Sequence, residues 1–151
     1  MHEDTGYTQD IMFLACSGAS KEGPLSNRAA VELTKEGCGR MFSLAGIAAG
    51  MSGFVQSAKD VERMVVIDGC ETACGRTIIE NAGIPLKEHV VVARLDIEKS
   101  NAPSLKPEDI STVKHAVRLA LNFPVKVVFN SPKPLSPAEE ALSKMLGGKC
   151  C

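Results

Sequence analysis

The chain is 151 residues long, about one domain, and can bury a real core without disulfide staples. Its 17 basic and 18 acidic side chains leave a net charge of −1, so no excess positive field favours nucleic acid or an anionic membrane as partner. Aromatics make up 4% of the residues and Trp is absent, which removes most of the stacking platforms that unpaired bases or sugars need.

In chain order, the first ten residues, MHEDTGYTQD, are polar and acidic, with no basic segment and apolar core of an export signal. The run from Ile11 to Cys16 predicts a buried strand, followed by the polar loop SGASKEGPLS. A helix is expected from about Ser26, its N-cap, through Leu33 to Gly37 as the C′ residue. A second strand is expected over Arg40 to Ala45, and the turn GIAAGMSG then leads into a helix with Phe54, Ala58 and Val61 on one side. The charge-free stretch from Met41 to Gln56 is too short, and too rich in Gly and Ala, to span a bilayer. Met64 to Asp68 is continuously apolar at Val65, Val66 and Ile67, as a strand covered on both faces should be. Steps of four through Cys70, Cys74, Ile78 and Ala82 predict a helix that stops at Gly83, with Pro85 beyond. The segment HVVVARL reads as a fourth strand. Pro107, Glu108 and Asp109 open a helix whose inner stripe is Ile110, Val113, Val117 and Leu121. Val125 to Phe129 predicts a fifth strand, and Ser136, Pro137 and Glu139 form a capping box for a last helix ending near Gly147, before a flexible tail at 147–151.

This alternation predicts one α/β domain over residues 1–151: three layers, a mostly parallel sheet with helices on both faces, Rossmann-like or flavodoxin-like. In such a sheet the carboxyl ends of the strands share one edge, and the loops there build the site. Cys16 ends the first strand, Cys70 follows the third, and Cys74 lies one helical turn further on the same face. Cys38 falls at the amino end of the second strand, about 15–20 Å from that rim. Sulfur ligands of one zinc lie within about 4 Å of each other, so Cys38 reads as a small packing residue.

A soluble, cytoplasmic protein is the expectation, and in a reducing compartment six cysteines point to metal ligands or redox groups rather than structural bridges. Cys-x3-Cys alone is a weak signal, and both thiols also fit as the first members of an apolar stripe. A cysteine ending the first strand before a Gly/Ser loop superficially resembles small tyrosine phosphatases. Their Arg after five intervening residues is here Glu22, which would repel phosphate. Gly46, Gly50 and Gly53 do not make a dinucleotide fingerprint, and no Gly-Lys-Ser/Thr triplet is present. His2, His89 and His115 have no spaced partner and read as structural or solvated. Asp68 either orients a group at the rim or belongs to an ordinary Asp-Gly turn.

The segments CSGASKEGPLSNRAA, MFSLAGIAAG and VVIDGCETACGRTIIENAGI resemble the DGC-domain family, clearest over residues 11–95 and named for the motif held here by Asp68, Gly69 and Cys70. The resemblance implies a zinc-binding protein with four cysteine ligands. Three carry over as Cys16, Cys70 and Cys74. The fourth corresponds to Ser43, and the family's Gly-Ile-Gly is Gly46, Ile47 and Ala48 here. A serine hydroxyl is a poor zinc ligand at neutral pH, so this departure from the family pattern leaves either an open site of three protein ligands plus water or a site that no longer holds metal. Other candidates for the fourth position are Asp68, Glu71, and Cys150 or Cys151 at the terminus. The competing expectation is a thiol enzyme, for disulfide exchange or sulfur transfer, using the same cysteines. An interaction module or metal sensor is a third class. Neither a protein partner nor a small thiol substrate is named by the sequence.

Overall fold

Strand β1 (Ile11–Ala15) is five buried residues long, and its side chains sort by strict alternation. Ile11, Phe13 and Ala15 join one core cluster, while Met12 and Leu14 join a second on the opposite face. This computed structural model describes residues 11–18, 20–98 and 104–122. Strand β3 (Arg63–Asp68) repeats the pattern, with Val65 and Ile67 in the first cluster and Met64 and Val66 in the second. A strand apolar on both faces must be covered on both, which is why this sheet is sandwiched between helices.

Helices α1 (Glu22–Lys35) and α5 (Pro107–Asn122) cover the first face through Leu25, Ala29, Leu33, Ile110, Val113 and Val117. The second face is covered by α2 (Leu44–Ala48), α3 (Ser52–Asp60) and α4 (Cys74–Asn81), through Ile47, Ala58 and Ile79. With β2 (Arg40–Met41) and β4 (Glu88–Val91), the sheet runs β2-β1-β3-β4, every neighbouring pair parallel. Phe13 and Leu14 are fully buried at its centre, and truncating either to Ala would cost about 3–5 kcal/mol.

Four predicted boundaries move. Helix α1 begins at Glu22 rather than at Ser26; Ser26 is buried inside it, and its Oγ donates back to the Glu22 carbonyl at 2.8 Å. Strand β2 stops at Met41, because Ser43 turns the chain into α2 by accepting the Gly46 N–H at 3.0 Å. Residues expected to be strand end and turn are therefore helix. Strand β4 ends at Val91, and Val92–Arg94 wind into a single 3-10 turn. Helix α4 starts at Cys74, so Cys70 is not on it. The end signals hold better: Gly37 and Gly83 both take the left-handed conformation just past α1 and α4. The strand expected at 125–129, the last helix, the tail at 147–151 and Cys150 and Cys151 lie outside the described residues.

Candidate functional site

β1 has β2 on one side and β3 on the other, and the connections to them lie on opposite faces of the sheet. That makes the carboxyl ends of β1 and β3 the switch point, where the two departing chains leave a crevice. The first thiol stands there. The Cys16 N–H bonds the Ile67 carbonyl at 2.9 Å, continuing the ladder one step and setting Cys16 beside Asp68. Its Sγ accepts the Gly18 N–H at 3.3 Å.

The loop after Cys16 is closed by backbone lying on backbone. A Cβ on Gly23, in the first turn of α1, would sit 2.5 Å from the nitrogen and oxygen of Gly18. One on Gly69 would sit 2.7 Å from the Gly23 nitrogen. The loop after β1, the start of α1 and the turn after β3 therefore meet where no side chain fits. Lys21, just before α1, is tied down by its Nζ, which donates to the Glu98 carbonyl at 3.1 Å and stands 2.9 Å from Asp109 Oδ2. That ion pair is close in distance but not aligned as a hydrogen bond, since Asp109 Oδ2 is buried without a hydrogen-bond partner among the described residues.

After β3 the chain is organised by one carboxylate. Asp68 is buried at 1% exposure, and its Oδ1 accepts the Gly75 N–H at 2.7 Å while Oδ2 accepts the Arg76 N–H at 3.0 Å. These are N–H groups of the first turn of α4, so Asp68 caps that helix from the end of the preceding strand. His89 on β4 completes the set, with Nε2 2.9 Å from Asp68 Oδ2. Burial works against the Asp68 charge, but the His89 bond and the Arg76 and Gly75 N–H bonds outweigh it and hold its pKa below the ordinary aspartate value. Gly75 has to be glycine for this, because a Cβ would come 2.7 Å from Asp68 Oδ1.

Between Asp68 and α4 the chain makes one tight turn, closed by the Ala73 N–H on the Cys70 carbonyl at 3.1 Å. Ala73 leaves it in the left-handed region, at φ 51° and ψ 50°. The turn is gripped from the end of β4. The Ala93 N–H bonds the Gly69 carbonyl at 2.9 Å, and Arg94 reaches Glu71 with Nε to Oε1 at 2.7 Å and a terminal nitrogen to Oε2 at 2.5 Å. This fork holds the Glu71 carboxyl below its usual range and raises Arg94 above its own. Lys21 and Arg94 thus each have a carboxylate partner.

The sequence-predicted residues share this edge. Cys16 follows β1, Cys70 sits in the turn after β3, Cys74 is the first residue of α4, and Ser43 follows β2, capping α2. Cys16, Cys38, Cys70 and Cys74 are thiols rather than disulfides, all partly buried. Cys38 precedes β2 at the amino end and packs against the first core cluster, as its position predicted. The donor chemistry at the carboxyl edge suits zinc, but the placement does not. Among the described residues, no three His, Cys, Asp or Glu side chains stand close enough to hold a metal ion. The alternative fourth ligands are engaged elsewhere: both oxygens of Asp68 and both of Glu71 already accept bonds.

Sequence reasoning missed the partner of His89, and it missed that Gly69 and Gly75 are spaces reserved for neighbouring atoms. A cavity of about 340 Å³ lies between α1 and α5, lined by Arg28, Glu32, Leu105, Pro107 and Ile110, and none of the thiols lines it. No described helix is long and apolar enough to cross a membrane.

Comparison with curated proteins finds no match, and comparison with solved structures finds none either. The model of the DGC domain, by contrast, matches residues 12–117, from inside β1 to inside α5. That span takes in the loop after β1, the capped turn after β3 and the grip from β4, so the chain belongs to the DGC-domain family.

Proposed function

We propose that this protein binds a metal ion, zinc by the character of its donors, through Cys16, Cys70 and Cys74, with the position of Ser43 left to water or to an incomplete shell. The observation that carries the reading is that three thiols, up to 58 positions apart in sequence, are borne by segments leaving the same edge of the sheet at its switch point. Thiolates are soft, anionic donors that favour zinc over magnesium or calcium. Among the described residues no three such side chains are gathered closely enough to hold a metal ion, so binding requires a rearrangement at this edge. No substrate or reaction follows from this.

A second reading has its own support. The Gly18 N–H directed at Cys16 Sγ favours the thiolate, and so suits disulfide exchange or sulfur transfer equally well. In that case two of the thiols lose two protons and two electrons to form one disulfide, and an external disulfide is reduced to two thiols. Elemental analysis of protein purified without chelators, beside a Cys70→Ser variant, decides between the two. About one zinc per chain, lost in the variant, supports metal binding. Metal-free protein that forms a reversible Cys16–Cys70 or Cys70–Cys74 disulfide overturns it in favour of thiol chemistry.

A further inference from the structure

The turn bearing Cys70 is anchored at both ends. Gly69 lies against the Gly23 backbone at one end, and at the other the first turn of α4 is bonded to Asp68. Cys74 is the first residue of that helix, so its thiol stands wherever α4 is made to begin. α4 has little means of fixing its own start. It is eight residues long, Ala73 supplies no side-chain cap, and helices shorter than about 12 residues are marginal by themselves. Its first internal bond is the Thr77 N–H on the Ala73 carbonyl, and of the three N–H groups before that one, two go to Asp68.

A carboxylate bonded only to a short helix can turn with it. His89 ties the Asp68 carboxylate to the sheet instead, with Nε2 2.9 Å from Oδ2. An ionised carboxylate only accepts, so the ring donates through Nε2. β4 sets His89 in register with Val66, two residues before Asp68, and leaves its side chain 14% exposed. We infer that His89 is a positioning residue for Cys74: it fixes the carboxylate that starts α4, and with it the place and accessibility of the thiol that opens the helix. The inference rests on the reading that Cys74 serves the site at this edge, and it adds to that site a residue acting wholly through Asp68.

The test uses the full chain, freed of metal, and iodoacetamide, from which a thiolate displaces iodide to form a thioether. The rate at each cysteine is followed by peptide mass mapping. In His89→Gln the amide nitrogen can reach the place of Nε2, whereas in His89→Asn it falls near that of Nδ1. His89→Asn should speed alkylation of Cys74 about fivefold, the weight of one lost hydrogen bond, and His89→Gln should return the rate towards that of the unaltered protein. Cys16 and Cys38, borne by other segments, should keep their rates in all three proteins, whereas a general loosening of the fold would speed them together with Cys74. Equal Cys74 rates in the three proteins, His89→Gln as fast as His89→Asn, or Cys16 and Cys38 rising in step with Cys74 overturn the inference. A variant that fails to fold exposes every thiol and counts with the last of these. Alkylation needs no metal, so the two readings fail separately. A selective change at Cys74 in protein that never binds zinc keeps the role of His89 and removes the zinc site, whereas zinc binding with equal Cys74 rates removes the role of His89 alone.

Discussion

The loop after β1 and the turn after β3 carry thiols to the same edge of the sheet and are held there by opposite means. The loop is fixed by what Gly23 and Gly69 lack: without side chains there, the backbone of Gly23 lies against that of Gly18 and the backbone of Gly69 against that of Gly23. The turn is fixed by what one residue has, since the Asp68 carboxylate takes up the first turn of α4 and the His89 ring together. A loop of the first kind tolerates no added atom, and a turn of the second tolerates no lost charge. Substitutions on the two sides should therefore fail in different ways.

The largest effect is expected from Asp68→Ala. It leaves the Gly75 and Arg76 N–H groups and the His89 ring without their acceptor, at a cost of about 3 kcal/mol in urea unfolding. Asp68→Asn keeps an acceptor oxygen and should recover part of that loss. The two also differ with pH. Because the folded pKa of Asp68 is depressed, its contribution is complete above the aspartate value of the unfolded chain and is lost as pH falls through the folded value. Unaltered protein should thus lose stability below about pH 4, and the Asn variant should lose less over the same range. An identical acid slope in the two would show that Asp68 does not hold the turn.

Gly23→Ala tests the other side. Its methyl has to displace the Gly18 backbone, and overpacking of this kind costs about 2 kcal/mol. The acid slope should stay that of the unaltered protein, since the carboxylate is untouched. Ser43→Cys sharpens the comparison at a third position on the edge. Losing the oxygen that caps α2 should cost the metal-free protein about 1 kcal/mol. If zinc binds at this edge, the added thiol should also tighten its affinity by about tenfold or more in competition with a chromophoric chelator. A destabilised variant with no gain in affinity would remove position 43 from the site.

How much of this was legible in the sequence differs between the same two regions. β1, β3 and the stripe of α5 were readable because unbroken apolar runs and steps of three and four have few alternative structures. Leu44 to Ala48 is apolar as well, and there a strand and a short helix look alike until Ser43 is recognised as a cap. The stripe through Cys70, Cys74, Ile78 and Ala82 overran the true helix start because the cap is Asp68, seven residues before the Gly75 N–H it accepts, not a local capping box. The partner of His89 was out of reach altogether. Val66 pairs with His89 in the register of β3 with β4, and no single sequence prints the order of its strands.

The smallest effect separates the anchored ends of the turn from its crown. Ala73 sits at φ 51°, a conformation glycine adopts without crowding and alanine does not. Ala73→Gly removes that strain but gives the unfolded chain more freedom, so the two effects oppose each other. Left-handed alanine costs about 1–2 kcal/mol, and the added entropy of glycine returns about 0.5–1 kcal/mol of it. The net should be a gain of about 0.5–1 kcal/mol, read from the urea midpoint at unchanged slope. A loss instead would mean that the alanine methyl packs favourably enough to offset its backbone, and the crown of the turn would then be as firmly built as its base.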